Sequence, residues 1–381
     1  EQFKRKLNYW IQYTADANSS GLEIPPSPED QIQGLVVLLT GLGGIGKTQL
    51  LKRYYHIARM QSENKIIQLS EIVDWEFAIG NNKLLFIATE GGDIDVTKYF
   101  RLMHTQLAKA LGKGENDFKK YRTAERTAIQ AKNQAQSILE RLLRGEEYVS
   151  LRSVAVDGIL ALIQSLPLGL SSLANNKAIS SIIKGAASAG VDIGVDKIKQ
   201  MLTSIQQYMG KHFNDYVDAE SKLGISLGQD LARFAQGHPI LIFFDTYELM
   251  AEGDGFLRMI MGAAGPRVGW VIAGRRQLWK RKDIIFVRNE HEYGYEDLVP
   301  PSRSIGIDLS ENKAGNFGPH EIRQFFNELY SKVKAQRPTL LKIEDETIRS
   351  ICEITLGIPL AVSIAASIYL ETGKFDDITK S

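Results

Sequence analysis

The apolar positions of this chain follow two rhythms. Short continuous apolar runs read as buried strands, and three-to-four spacings read as helices. The runs fall at 35–39, 83–88, 240–244, 269–273 and 304–309. Apolar runs separated by helical stretches predict a mostly parallel sheet covered on both faces, an α/β fold. Residues 1–20 predict an amphipathic helix with Phe3, Leu7, Trp10 and Ile11 on one face. Pro25, Pro26 and Pro28 make 21–33 an extended lead-in. A helix after the first run presents Leu50, Leu51, Tyr54, Ile57 and Ala58; another at 97–111 presents Phe100, Met103, Leu107 and Leu111.

A long helical insertion is expected at 115–235. Its first helix carries Tyr121, Ala124, Ala128, Ala131, Ala135, Ile138 and Leu142, alternately three and four residues apart. That is a heptad seam filled largely with alanine, which lets helices approach closely while burying little area per residue. It predicts an intramolecular hairpin closed by the stretch around 179–205; a dimerising coiled coil is the alternative. The small residues Gly185, Ala186, Ala187, Ser188, Ala189 and Gly190 suggest a second tight helix contact. Read as a membrane-active stretch, that region is interrupted by Lys184, Asp192 and Asp196. From Pro319 onward helices are expected near 319–335, 344–356 and 359–371. The resulting domains are 1–33, a sheet domain of 34–114 with 236–312, the insertion, and an all-α unit at 313–381.

Composition narrows the classes of function. The chain has 381 residues, 44% hydrophobic and 24% charged, with a net charge of +1. That balance supplies no global pull toward nucleic acid or anionic membrane. Cys352 is the only cysteine, so no internal disulfide is possible, which fits a reducing, cytoplasmic setting. No apolar run is long enough for a membrane span, and no signal peptide is visible. The first residue is Glu1 rather than Met, so a piece of a longer polypeptide is expected.

The chemistry concentrates in four places. Gly41, Leu42, Gly43, Gly44, Ile45, Gly46, Lys47 and Thr48 read G-x-x-x-x-G-K-T between a strand and a helix, a phosphate-binding P-loop. The glycines let backbone N–H groups turn inward toward a polyanion, and the helix adds its positive end. Lys47 supplies a point charge for the β- and γ-phosphates, Thr48 a hydroxyl for Mg2+, and Ile45 and Gln49 complete the expected nucleotide contacts. The run 240–244 ends in Asp245, the candidate Mg2+ partner, followed three residues on by Glu248, the candidate that polarises an attacking water. Taken alone, Asp245 reads equally as a helix cap. The run 269–273 ends in Gly274, Arg275 and Arg276; Arg275 is the candidate γ-phosphate sensor. Lys280, Arg281 and Lys282 continue that cluster and read as a solvated basic face, with a nucleic-acid patch as the alternative. Gly357, Ile358, Pro359, Leu360 and Ala361 end one helix and open another.

In order these elements read G-x-G-G-I-G-K-T, an apolar strand ending D-T-x-E, a strand ending G-R, and G-I-P-L-A. They resemble the STAND class of P-loop ATPases, the signal-transduction ATPases with numerous domains, whose relatives are the NACHT and NB-ARC modules of innate immune receptors. The resemblance covers roughly 20–110 and 225–372. It implies that Lys47 and Thr48 bind phosphate and Mg2+, that Arg275 senses phosphate, and that Pro359 contacts the nucleotide from a helical lid. It also implies a slow ATPase that switches between ADP-closed and ATP-open states and forms a homo-oligomer on activation. Effector and sensor domains elsewhere in the same polypeptide, and a setting in antiviral defence, are further implications. The insertion at 115–235 is longer than the family carries between these strands. A ring-forming ATPase motor, a transcription regulator of the same class and a non-hydrolysing nucleotide-bound scaffold are the alternative readings.

Overall fold

A computed structural model of the chain describes residues 1–19, 32–79, 96–144, 203–204, 206–210, 212–250, 253–275, 294–310, 316–334 and 343–372. The expected strand at 83–88, the stretch at 179–205 apart from 203–204, the small-residue run at 185–190, Arg276 and the Lys280–Arg281–Lys282 cluster lie outside them.

Helix α1 (Gln2–Ser19) precedes strand β1 (Val36–Thr40) and helix α2 (Lys47–Glu63). Strand β2 (Gln68–Asp74) is followed by the short α3 (Trp75–Ile79), then α4 (Val96–Ala110), α5 (Lys119–Arg144), α6 (His212–Val217) and α7 (Ala219–Phe234). Next come β3 (Ile240–Asp245), α8 (Asp254–Ala264), β4 (Val268–Ala273), α9 (Tyr295–Leu298) and β5 (Ser304–Asp308). Helices α10 (Pro319–Val333), α11 (Asp345–Thr355) and α12 (Pro359–Thr372) complete the described chain.

The five strands form one all-parallel sheet in the order β2-β3-β4-β1-β5. Every residue of β1, β3 and β4 is buried, as continuous apolar runs require when helices cover both faces. The two-residue period of the strands sorts the core. Val36, Leu38, Ile242, Phe244, Trp270 and Ile272 point to one face, against α4, α7 and α8. Leu35, Val37, Leu39, Leu241, Phe243 and Val271 point to the other, against α1 and α2. Each such side chain contributes roughly 1.5–3 kcal/mol by leaving water. The amphipathic face expected in α1 buries Phe3, Leu7 and Trp10; Phe3 stacks on Tyr54 with ring centroids 4.1 Å apart, and Trp10 Nε1 donates to the Pro266 carbonyl at 2.7 Å.

Four expected strands coincide with β1, β3, β4 and β5. β2 is an addition that the apolar pattern did not announce. It is an edge strand carrying Gln68, Ser70 and Glu71, so it lacks a continuous apolar run. The Ser70 hydroxyl, fully buried, accepts the Phe243 amide and donates to the Glu71 carbonyl, where the register of the β2–β3 pair shifts.

Helices α5 and α7 are not set apart from this core. Tyr121, Ala128, Leu223, Leu227 and Leu231 belong to the same buried cluster as the sheet. The alanine seam of α5 is buried at Tyr121, Ala128, Ala131 and Ala135, and α5 packs against α6 and α7 of its own chain. Asp230 on α7 accepts the Tyr121 amide at 2.9 Å, which caps the start of α5. Helices α7 and α8 approach closely because α7 carries glycine where they cross: a Cβ on Gly228 would stand 2.4 Å from the Ile260 carbonyl oxygen. The last three helices hold a separate core of Ile322, Phe326, Ile348, Ile351, Val362, Ala365, Ala366 and Tyr369.

Candidate functional site

An all-parallel sheet puts the C-terminal ends of its strands along one edge, and the connections that leave them meet there. The connection after β1 is the glycine loop. Gly41, Gly44 and Gly46 have φ of 142°, 76° and 95°, a region in which residues with a Cβ are strained. Space imposes the same requirement, since a Cβ on Gly44 would stand 2.6 Å from Leu360 Cβ. Gly46 in the left-handed conformation opens α2 with no side-chain cap, so its first-turn amides are left to another acceptor. Ile45 is buried, while Gly43, Thr48 and Gln49 are exposed.

Lys47 curls back over this loop, and its Nζ donates to the carbonyls of Gly41 at 2.7 Å and Leu42 at 2.8 Å. Burial pushes its ammonium below the usual lysine range, and the Arg275 cation acts in the same direction. The carboxylates of Glu248 and Asp245 oppose that shift, so all three neighbours are close enough to be felt.

Asp245 ends β3, two strands away from β1 with β4 between them. It is buried, accepts the Thr246 amide at 2.9 Å and lies near enough to the Thr48 side chain for that hydroxyl to favour its charged form. Burial raises its pKa, Asp74 and Glu248 add to the rise, and the Thr48 hydroxyl and the Thr246 amide counter it. The next residue, Thr246, has φ of 56°, strained backbone for a β-branched side chain. Its hydroxyl donates to Asp74 at 3.4 Å. Such strain clusters at functional sites because the surroundings must hold it in place. Here the support is a buried polar cluster: the hydroxyls of Tyr247 and Tyr295 donate to Asp254 at 3.3 and 2.9 Å, and Arg258 pairs with its other oxygen at 2.7 Å.

Glu248 follows in the same turn, half-buried. Its carboxylate pairs with Arg275 Nε at 2.9 Å and accepts the Arg275 backbone amide at 3.1 Å. Arg275, at the end of β4, carries its guanidinium over Gly43, 3.6 Å from where a Cβ would stand.

From the far side, α12 reaches the loop. The Leu360 amide donates to the Gly44 carbonyl at 3.2 Å. Pro359 opens α12 and is half-buried; the residue whose bond to the glycine loop is seen is its neighbour Leu360.

Lys47, Thr48, Asp245, Glu248 and Arg275 therefore stand around one glycine loop, with the start of α12 against it. Sequence reasoning missed three participants. Leu360 meets the loop through its backbone, which carries no side-chain signal. Ser310 accepts the Leu42 amide at 2.9 Å and pins the loop from the end of β5. Asp74 lies beside Asp245 in strand register and caps α3 through the Glu76 amide at 3.0 Å. Finding β2 would have exposed it, because an acid at a strand end is the signal that singled out Asp245. Among the described residues no group of three or more His, Cys, Asp and Glu side chains forms a metal cage. No helix of the described residues is long and apolar enough to cross a membrane. No family model, curated protein or solved structure matches the chain.

Proposed function

We propose that the chain is the nucleotide-binding module of a STAND-type ATPase. In this reading it is a P-loop sheet domain with a helical insertion and a C-terminal helical lid, which binds ATP and ADP and gates oligomerisation in signal transduction. The observation that carries the reading is the convergence of Lys47, Thr48, Asp245 and Arg275 on a loop turned by left-handed glycines. Those groups fit a magnesium-bound polyphosphate. Backbone amides and a helix start accept the anion, and Lys47 exchanges two loop carbonyls for phosphate oxygens. Thr48 and the buried Asp245 would hold Mg2+, whose charge offsets that of the phosphates. Glu248 is the group that orients water, and Leu360, bonded to Gly44, lets the α12 cluster feel what the loop holds. Homo-oligomerisation, partner domains and a role in defence rest on the motif resemblance.

The test is nucleotide titration of the parent and of Lys47→Ala with Mg2+ present. Removing one charged hydrogen-bond donor of about 1.5–3 kcal/mol predicts roughly a 10- to 150-fold loss of ATP affinity, with the fold intact by circular dichroism. Equal affinities, or a parent that binds neither nucleotide, would remove this reading.

A further inference from the structure

The Glu248–Arg275 pair spans the mouth of the glycine loop, and its two halves differ in freedom. Both contacts of the Glu248 carboxylate come from one residue: the guanidinium at 2.9 Å and the backbone amide at 3.1 Å. The Glu248 side chain is 15% exposed, whereas that of Arg275 is 66% exposed. The amide contact can therefore hold the carboxylate in place while the guanidinium swings. Three elements meet here, since the pair joins the turn after β3 to the end of β4 and lies against Gly43 of the glycine loop.

We propose that Glu248 is a selectivity-determining residue: it holds Arg275 in a resting pairing that a third phosphate must displace. The proposal rests on the nucleotide reading above. A terminal phosphoryl group is a dianionic acceptor that a guanidinium meets with two parallel hydrogen bonds. A nucleoside triphosphate that takes Arg275 must break the pair with Glu248, so its binding is weakened by what the pair is worth. A diphosphate lacks the competing acceptor and leaves the pair standing. The pair thus tilts the resting module toward ADP. The exchange also frees one carboxylate oxygen of Glu248, with the other still held by the Arg275 amide, and that oxygen can then accept a bond from water. The acid becomes available only when the arginine has found a third phosphate.

The experiment compares the full chain with Glu248→Gln, Arg275→Ala and the double variant. Each is titrated in Mg2+ with ADP and with the β,γ-imido analogue of ATP, and the ratio of the two affinities is read. For a half-exposed pair the ratio should shift toward the triphosphate about fivefold in Glu248→Gln. Arg275→Ala should lower the triphosphate affinity, and adding Glu248→Gln to it should change the ratio less than about twofold. An equal gain in both backgrounds would mean that the carboxylate merely repels the third phosphate, and the pairing proposal would be wrong. No gain in either background overturns it as well, and in both cases nucleotide binding by the parent leaves the functional reading standing. A parent that binds neither ligand brings down that reading, and this proposal with it.

Discussion

Asp245 is the residue whose position works against the fold. Burial holds its carboxylate above the usual range, so the charged form is less stable in the folded chain than in the unfolded one. The sign follows from linkage. A raised folded pKa favours the fold at low pH, and the advantage is lost as pH climbs from the unfolded pKa through the raised folded value. At neutral pH the group is therefore a net cost. Asn keeps an acceptor for Thr246 and Thr48 while removing the charge. Asp245→Asn should raise the melting temperature by about 2 °C at pH 7 without Mg2+, and the gain should vanish as the pH falls below the ordinary aspartate range. A variant that melts below the parent at pH 7 would show that the carboxylate is stabilising and needs no counter-ion.

At the scale of elements, the crossing of α7 and α8 is the tightest test of packing. Gly228 faces the Ile260 carbonyl and the Ala263 side chain, both too close to admit a methyl group. Gly228→Ala should destabilise by about 1–3 kcal/mol, read from denaturant unfolding, because backbone must shift to accept it. Gly237→Ala is the control, with nothing near its Cβ position. Similar losses in the two variants would mean that the crossing does not set the cost, since the entropy term of Gly→Ala favours the fold. This contact also marks what the sequence could and could not tell. Strands β1, β3 and β4 were legible because burial on both faces forces unbroken apolar runs. β2 was not, since an edge strand can keep Gln68 and Glu71, and its buried Ser70 is satisfied by backbone partners that only the sheet supplies. The glycine loop, Asp245 and Arg275 were legible because each sits where a run stops. The pairing of Glu248 with Arg275 was not, because nothing local links two residues brought together by the order of strands.

For the whole molecule, the consequential joint lies between the sheet and the α10–α12 cluster. That cluster has its own core, and the Leu360–Gly44 hydrogen bond ties it to the glycine loop. It should move as a body rather than unfold. With the imido analogue of ATP in place of ADP, hydrogen exchange at the Leu360 amide should quicken, while the Val362 amide, bonded within its own helix, stays protected. Faster exchange throughout 319–372 would indicate local unfolding, and no difference between nucleotides would mean the joint does not respond to them. A ligand can shift such a joint only by its differential affinity, about 5.5 kcal/mol for a swing from 1:99 to 99:1. If Arg275 meets a third phosphate as proposed, it would supply part of that, and a full swing would need a further trigger.

The strand order also has a consequence in time. β1 lies between β4 and β5, pairing Val36 with Trp270 on one side and with Ser304 on the other. Both partners come about 230 residues or more later in the chain. At synthesis rates of about 5–20 residues per second, the apolar strand that leads into the glycine loop waits on the order of 10–50 s before either neighbour exists. Contacts between such distant segments also close slowly once the chain is complete. Until then Val37 and Leu39 have only α1 and α2 to cover them, and Val36 and Leu38 only α4, so the strand that leads into the glycine loop spends most of synthesis without its sheet neighbours.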